Sequence, residues 1–291
     1  MITETSGTPL RVRQIRLTGA ALNWVGRLSP AQRLIDLVRI APVSRALYRW
    51  ALGYHRSFST LEEAETAVSA YAQQGHRNPS NADMHLDLNK RPRPSDYAAL
   101  FHLQQRLPNI RRVFDLGGNV GNLYYCYMEH LTPPEDFIWQ VHDLPENMAR
   151  GRALARERGA DRLLFADSWA EADGADLLLI SGAMHYLKEP LASMLAKLKT
   201  VPKYILINRT PMTEGPSFAT IQDGGPFRVA CMVRNRHALL QELEQVGYHL
   251  EDSWQAAELF LRVPADPDHS VPSYSGFLLL HASETGARSA S

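Results

Sequence analysis

The chain has little cysteine, no excess of charge and no long apolar run. Only two of its 291 residues are cysteines, Cys126 and Cys231, and they lie far apart. Since no disulfide framework or zinc-binding spacing can be built from them, they favour a reducing compartment, and we predict a cytoplasmic location. The start of the chain lacks a basic segment followed by an apolar one, so we expect no signal peptide. No stretch approaches about 18 apolar residues, so we expect no membrane-spanning helix.

The charges are balanced overall but unevenly distributed. Residues 1–56 carry nine arginines against only Glu4 and Asp36, a net charge of +7, so the remainder of this neutral chain carries −7. Three interpretations stay open: docking on the protein's own acidic body, weak peripheral contact with an anionic membrane surface, or contact with an anionic substrate. Because the body is acidic and lacks a basic and aromatic stripe, we expect no nucleic-acid binding.

Hydrophobic periodicity divides the chain into a helical first part and an alternating second part. Helical spacing and capping residues predict helices near 29–41, 42–52, 60–73 and 95–107, so we expect residues 1–108 to form an N-terminal helical cap region. Residues 109–283 alternate between strands and helices. The predicted strands lie near 111–115, 137–142, 162–166, 176–181, 203–208, 248–254 and 274–281. Residues 284–291 are expected to be a disordered tail.

Two of the predicted strands, 176–181 and 204–207, contain unbroken apolar runs, as a parallel sheet covered on both faces requires. The last two strands have no helix between them, which allows antiparallel pairing. We therefore predict an α/β fold: a seven-stranded, mostly parallel, Rossmann-like sheet with helices on both faces, plus the N-terminal helical region. A dehydrogenase-type sheet would more often show a sixth parallel strand.

A glycine-rich turn follows the first strand of this sheet. It reads Asp115-Leu-Gly117-Gly118-Asn119-Val-Gly121 and precedes a predicted helix. Counted from Gly117, the dinucleotide pattern G-x-G-x-x-G fails at its third and sixth positions. The pattern D/E-x-G-x-G-x-G matches except at Asn119, and asparagine is the residue that best replaces glycine at positive φ.

This turn resembles motif I of the class I S-adenosylmethionine (SAM) methyltransferases. Residues 50–281 resemble a bacterial family of these enzymes that is often associated with polysaccharide gene clusters. The elements that carry the resemblance are Gly53-Tyr54, residues 58–64, the glycine turn, His142-Asp-Leu-Pro145, residues 235–240, Gly247-Tyr248 and Asp252-Ser-Trp254. The early aromatic F-G-G pattern of the family is degenerate here. The resemblance implies SAM as the cofactor and a small-molecule, sugar or glycolipid acceptor.

Carboxylates follow the first three strands, and ligands of open α/β sheets bind at these strand ends. Asp143, followed by Leu144, lies 28 residues after Asp115. This spacing suits a carboxylate that accepts hydrogen bonds from the ribose hydroxyls of SAM, although capping of the next helix is also consistent with it. Asp167, followed by Ser168, ends the third strand. The resemblance implies that an acidic residue here binds the adenine amino group; a solvated turn is the alternative.

The fourth strand ends at Ser181 and Gly182, whose backbone carbonyls are candidates to bind the SAM ammonium. His185 follows at the expected mouth of the cleft. It is a candidate general base, because histidine titrates near neutral pH without perturbation; contact with the substrate or loop and a purely structural role are the alternatives. The long Gly/Pro-rich segment 210–234 is interpreted as part of the substrate pocket. Its candidate contacts are Phe218, Phe227 and Arg228.

No carboxylate cluster follows the fourth and fifth strands, so we predict no metal site. The leading hypothesis is a SAM-dependent methyltransferase that transfers a methyl group in line to an acceptor oxygen. The alternatives are an NAD(P)-dependent sugar-modifying Rossmann enzyme and a non-catalytic SAM-fold binding protein. The sequence leaves open the acceptor, the methylated atom and the oligomeric state.

Overall fold

The computed structural model describes residues 54–69, 91–223, 228–263 and 266–283. They form two compact units. The sheet unit comprises residues 91–210, 236–256 and 275–283, and the small unit comprises the described residues of 54–69, 211–235 and 257–274. The predicted helices near 29–41 and 42–52, most of the basic segment 1–56 and the predicted tail 284–291 lie outside the described residues.

The secondary structure alternates along the sheet unit and is mostly strand in the small unit. In chain order the strands are β1 (Tyr54–Phe58), β2 (Arg112–Leu116), β3 (Ile138–His142), β4 (Leu163–Phe165), β5 (Leu177–Ser181), β6 (Tyr204–Thr210), β7 (Met212–Thr213), β8 (Phe218–Asp223), β9 (Arg228–Asn235), β10 (Tyr248–Ala256), β11 (Leu261–Val263), β12 (Asp266–Val271) and β13 (Tyr274–His281). The α-helices are α1 (Leu61–Ser69), α2 (Pro94–Arg106), α3 (Asn122–Met128), α4 (Pro145–Arg158), α5 (Leu191–Leu195) and α6 (Arg236–Gln245). Short 3₁₀-helices cover Leu107–Asn109, Trp169–Ala172 and Met184–Tyr186.

The sheet unit confirms the predicted seven-stranded, mostly parallel sheet. The strand order is β10-β13-β6-β5-β2-β3-β4. Strands β2 to β6 run parallel to one another, and β13 pairs with β6 in the antiparallel direction. All seven residues of β6 are buried, as are four of the five in β5, which explains why both strands are apolar runs. The parallel direction brings the carboxyl ends of β2 to β6 to one edge.

Helix α2 belongs to the sheet unit, so the unit boundary differs from the predicted one at residue 108. Pro94 occupies the first turn, and the Arg93 N–H donates to Oδ2 of Asp96 at 2.9 Å. The helix therefore begins one residue before the predicted start at residue 95. Ala99 and Leu103 on its inner face are buried in the core that also contains β2, β5 and β6.

The small unit corrects two predictions. Residues 54–58 form β1 rather than part of an all-helical region, because β1 pairs antiparallel with β8, with Phe58 opposite Ala219. Segment 210–234 contains β7, β8 and β9 rather than an irregular loop. These strands form a four-stranded sheet in the order β1-β8-β9-β7, and α1 buries Ala64 against it. Strands β1 and β8 lie more than 150 residues apart in sequence, and local periodicity does not reveal a pairing over that distance.

Within the described residues, no helix is both long enough and apolar enough to cross a membrane.

Candidate functional site

The glycine turn after β2 has three residues in the left-handed region of φ. Gly117 has φ +78°, Asn119 +57° and Gly121 +87°. Asn119 thus adopts the backbone conformation that was predicted for it as a substitute for glycine. The Gly117 N–H donates to the carbonyl oxygen of His142 at 2.8 Å, which ties the turn to the end of the neighbouring strand β3.

The turn is packed so tightly that its glycines have no room for a side chain. A Cβ added at any of the three predicted glycines would come closer than 3.0 Å to another side chain. At Gly117 the neighbour is Ala183, at Gly118 the Asp115 carboxylate and at Gly121 Leu163. The contact with Ala183 is important, because it brings the turn against the loop that follows β5.

Asp143 joins the turn to the start of α4. Its Oδ2 accepts the Asn119 N–H at 2.8 Å, and its Oδ1 accepts the Leu144 N–H and the Asn147 side-chain amide, both at 2.6 Å. The capping interpretation is therefore confirmed, since Asp143 organises the beginning of the helix; its bond to the glycine turn is compatible with ribose binding, which stays a prediction. A carboxylate offers about four acceptor positions. Three of these positions are used internally, so one acceptor position remains, whereas the predicted ribose contact would use two.

Asp115 lies beneath the turn and is 1% exposed. Its Oδ2 accepts the indole N–H of Trp139 at 3.0 Å, while its Oδ1 has no partner among the described residues. Burial, together with the nearby Asp143 carboxylate, raises the pKa of Asp115 to about 7 against the opposing effects of the Trp139 hydrogen bond and the Arg209 charge. Asp115 is therefore a buried carboxyl that titrates near neutral pH, and its part in cofactor binding stays a prediction.

We expect the contribution of Asp115 to stability to fall as the pH rises. Its pKa is about 7 in the folded protein against 3.8 for an unperturbed carboxyl. The folded state therefore binds the proton more tightly than the unfolded state. The resulting contribution to the free energy of unfolding is complete below pH 4 and is lost as the pH rises through 7. The difference corresponds to at most about 4 kcal/mol. Urea unfolding between pH 4 and 8 should show Asp115→Asn gaining stability relative to the wild type by up to this amount.

The matched control is Asp176→Asn. Backbone N–H groups of Arg111 and Arg112 and the Lys203 ammonium lower the pKa of Asp176 against the opposing effect of burial. The contribution of Asp176 to the free energy of unfolding is therefore present above pH 3.8 and is lost as the pH falls below that value. Between pH 4 and 8 its difference from the wild type should stay flat. A flat difference for Asp115→Asn would contradict the buried, proton-binding carboxyl.

Gly118→Ala tests the packing of the turn. The glycine is not in the positive-φ region, so the cost comes from space alone: the new methyl group would meet the Asp115 carboxylate. Overpacking of this kind costs about 1–3 kcal/mol. We expect a lower melting temperature, whereas Gly215→Ala, whose nearest atom would be 3.6 Å away, should melt like the wild type. Adding Asp115→Ala to Gly118→Ala should make the two effects less than additive.

The third predicted carboxylate is the most exposed of the set. The side chain of Asp167 is 79% exposed, and its Oδ1 pairs with Arg152 at 2.6 Å. Ser168 begins the 3₁₀-helix Trp169–Ala172, and its N–H donates to Oε1 of Glu171 at 3.1 Å. A solvated turn therefore describes this strand end fully, and contact with adenine stays a prediction.

Ser181 and Gly182 end β5 next to the glycine turn. Both are partly exposed, and Gly182 has φ +74°. His185 follows in the 3₁₀-helix Met184–Tyr186, where it is 4% exposed and its ring centroid lies 4.0 Å from that of Tyr186. The ring is thus held inside the loop after β5. An acceptor would have to enter this loop to reach it.

The candidate contacts of segment 210–234 lie in the small unit. Phe218 is 2% exposed and packs edge-on against His269, with ring centroids 4.7 Å apart, so it belongs to the core of that unit. Arg228 is partly exposed at the start of β9. Phe227 lies outside the described residues.

A buried polar network behind the site was missed by the sequence analysis. Asp96 is fully buried, accepts the Tyr127 hydroxyl at 2.8 Å and lies 3.6 Å from Nη1 of Arg209. Asn208 donates to Asp96 at 3.4 Å and accepts the Trp254 indole N–H at 3.0 Å. The one available sequence signal was the polar run Asn208-Arg209-Thr210 at the end of a buried apolar strand.

Among the described residues, no group of three or more histidine, cysteine, aspartate and glutamate side chains is arranged to hold a metal ion.

No family model and no curated protein matches the chain. Solved structures do match it. A Burkholderia thailandensis 1,6-didemethyltoxoflavin-N1-methyltransferase, with bound 1,6-didemethyltoxoflavin and S-adenosylhomocysteine, is 18% identical with a TM-score of 0.47, covering 77% of this chain and 91% of that one. The mitomycin 7-O-methyltransferase MmcR is 16% identical with a TM-score of 0.44, covering 76% and 67%. The glycopeptide N-methyltransferase MtfA, complexed with S-adenosylhomocysteine, is 13% identical with a TM-score of 0.44, covering 65% and 90%.

Proposed function

We propose that this protein is a SAM-dependent methyltransferase that methylates an oxygen of a small-molecule, sugar or glycolipid acceptor. The observation that carries the proposal is the bond from the Asn119 N–H to Asp143, which places a carboxylate beside a glycine turn at the carboxyl edge of the sheet. That is where ligands of open α/β sheets bind. Association with polysaccharide gene clusters and a cytoplasmic location remain predictions from sequence.

The residues fit the cofactor at three points. Asp143 keeps one acceptor position for a ribose hydroxyl. Gly117 and Gly118 have no side chain, which lets the turn pack against Ala183 and Asp115 and fixes the backbone that we propose lines the cofactor. Partly exposed Ser181 and Gly182 border the same edge and suit the amino-acid end of SAM. Asp167 is proposed to contact the adenine of SAM only because it follows the end of β4.

The chemistry requires little of the protein beyond alignment and removal of one proton. SAM supplies a methyl group on a sulfonium sulfur. With SAM and an acceptor bound, His185 would take up the proton of the acceptor hydroxyl as the methyl group passes from sulfur to oxygen, and S-adenosylhomocysteine would remain. His185 itself is 4% exposed, which limits the access of water to this step. We expect no metal requirement, and turnover lost in EDTA and restored by Mg²⁺ would contradict this.

Calorimetry with S-adenosylhomocysteine and NAD⁺ tests the proposal. We expect binding of S-adenosylhomocysteine and none of NAD⁺, because Asn119 and Asn122 occupy two glycine positions of the dinucleotide pattern. Preferential binding of NAD⁺ would instead support a sugar-modifying oxidoreductase. A protein that binds S-adenosylhomocysteine but transfers no methyl group to any hydroxyl acceptor in a broad panel would be a non-catalytic SAM-fold protein.

A further inference from the structure

Ser181 and Arg209 stand side by side at the carboxyl ends of the neighbouring parallel strands β5 and β6. Ser181 pairs in register with Asn208, the residue before Arg209. The guanidinium Nε–H of Arg209 donates to Oγ of Ser181 at 3.1 Å. Ser181 is partly exposed, whereas Arg209 is 6% exposed. The serine hydroxyl is thus the accessible end of a pair whose charged member is buried.

The direction of this hydrogen bond determines what the serine can offer to a ligand. A hydroxyl has one proton and two lone pairs. One lone pair of Ser181 takes the Arg209 N–H, and within the described part of the chain no residue accepts the proton. Ser181 is therefore available as a donor beside a cation. Both features favour a negatively charged group, and the Asp96 carboxylate, 3.6 Å from Nη1 of Arg209, offsets part of the positive charge.

The space beside Ser181 borders the glycine turn. Apart from the adjacent residues Ser181 and Ala183, no described residue has a heavy atom within 4 Å of the position that a Cβ would take at Gly182. The next residue, Ala183, packs against Gly117 of the glycine turn. A group seated beside Ser181 is consequently next to the turn proposed to hold SAM.

Arg209 is held in one position by strong constraints. It has φ +54°, an uncommon conformation for a residue with a side chain, and such strain persists only where the surroundings enforce it. Nη1 of Arg209 lies 3.6 Å from the fully buried Asp96 carboxylate, which also accepts the Tyr127 hydroxyl. The charge of Arg209 also opposes the rise in the pKa of Asp115 beneath the turn.

We propose that Ser181 and Arg209 bind the methionine carboxylate of SAM, an assignment that rests on the proposed function. Ser181 donates its hydroxyl proton to the carboxylate, and Arg209 orients the hydroxyl and supplies the positive charge. This differs from the sequence-based prediction that this strand end binds the ammonium through backbone carbonyls. A guanidinium bonded to the serine would repel a second cation.

The test compares two ligands that differ only in the carboxylate: S-adenosylhomocysteine and its decarboxylated analogue, S-adenosyl-3-thiopropylamine. Calorimetry should show Ser181→Ala binding S-adenosylhomocysteine about 10–100-fold more weakly than the wild type, as expected for a lost hydrogen bond to a charged group. Its affinity for the decarboxylated analogue should be unchanged. Ser181→Thr, which keeps a hydroxyl, should retain most of the affinity.

A matched control is Ser253→Ala. Ser253 also accepts a hydrogen bond from an arginine, Arg236, at 3.2 Å, but on the exposed edge strand β10. This variant should bind both ligands like the wild type. Equal weakening of both ligands by Ser181→Ala, or no weakening of either, would overturn the assignment while leaving the proposed function intact. A wild-type protein that binds neither ligand would contradict the proposed function, and the assignment with it.

Discussion

Asp143→Ala is expected to reduce the affinity for S-adenosylhomocysteine by about 100-fold or more. The substitution removes the acceptor proposed for a ribose hydroxyl, and a hydrogen bond to a charged group contributes about 1.5–3 kcal/mol. It also leaves the backbone N–H groups of Asn119 and Leu144 without the acceptor that holds them. Since the first of these belongs to the glycine turn, the binding surface itself should loosen. Calorimetry measures the loss directly.

Two further variants separate ligand binding from folding. Asp143→Asn keeps one carbonyl oxygen and should give an intermediate loss. Asp173→Ala also removes a carboxylate that holds a backbone N–H, that of Thr200 at 2.6 Å, but it lies before β5 rather than after a parallel strand. Its affinity should match that of the wild type. If Asp143→Ala retains a wild-type melting temperature and wild-type affinity, Asp143 has no role in binding.

His185→Ala is expected to lower kcat by about 10²-fold or more while S-adenosylhomocysteine binding stays intact. This is the size of effect that a positioned general base contributes. His185→Gln separates a base from an orienting group, because an amide still forms hydrogen bonds but does not take up the proton. The measurement is kcat with a hydroxyl acceptor that supports turnover in the wild type, followed across pH.

For a base, the rising limb of the pH–rate profile should disappear in His185→Gln, and kcat should fall as far as in His185→Ala. For an orienting group, His185→Gln should keep much of the rate. The exposed His249 on β10 provides the control, and His249→Ala should turn over like the wild type. Near-normal kcat/KM in both His185 variants would remove this residue from the mechanism.

The sequence predicted those parts of the molecule that depend on local patterns. The seven strands of the sheet, the left-handed Asn119 and the position of Asp143 beside the turn follow from short segments of chain. The fold of a parallel sheet then brings the strand ends together. The same patterns assigned two ribose bonds to Asp143, because they do not show that three of its acceptor positions serve the protein itself.

The unpredicted parts depend on partners that are distant in sequence. Asn208 meets Asp96 across 112 residues, and β1 meets β8 across more than 150. Arg209 resembles an ordinary polar residue after a strand until its left-handed φ and its bond to Ser181 are seen. Such contacts depend on which side chains the completed fold brings together, and they are the reason that we propose a carboxylate rather than an ammonium group at Ser181.

The seven-stranded sheet ends on two strands that discourage growth by self-association. On one side β4 has only three residues, which is too short to template another strand. On the other, β10 carries Glu251 and Asp252, whose carboxylates pair with Arg106 and His102 of α2 at 2.7 and 2.8 Å. An incoming strand would meet fixed acidic side chains there. The edges of this sheet are therefore protected against edge-to-edge aggregation.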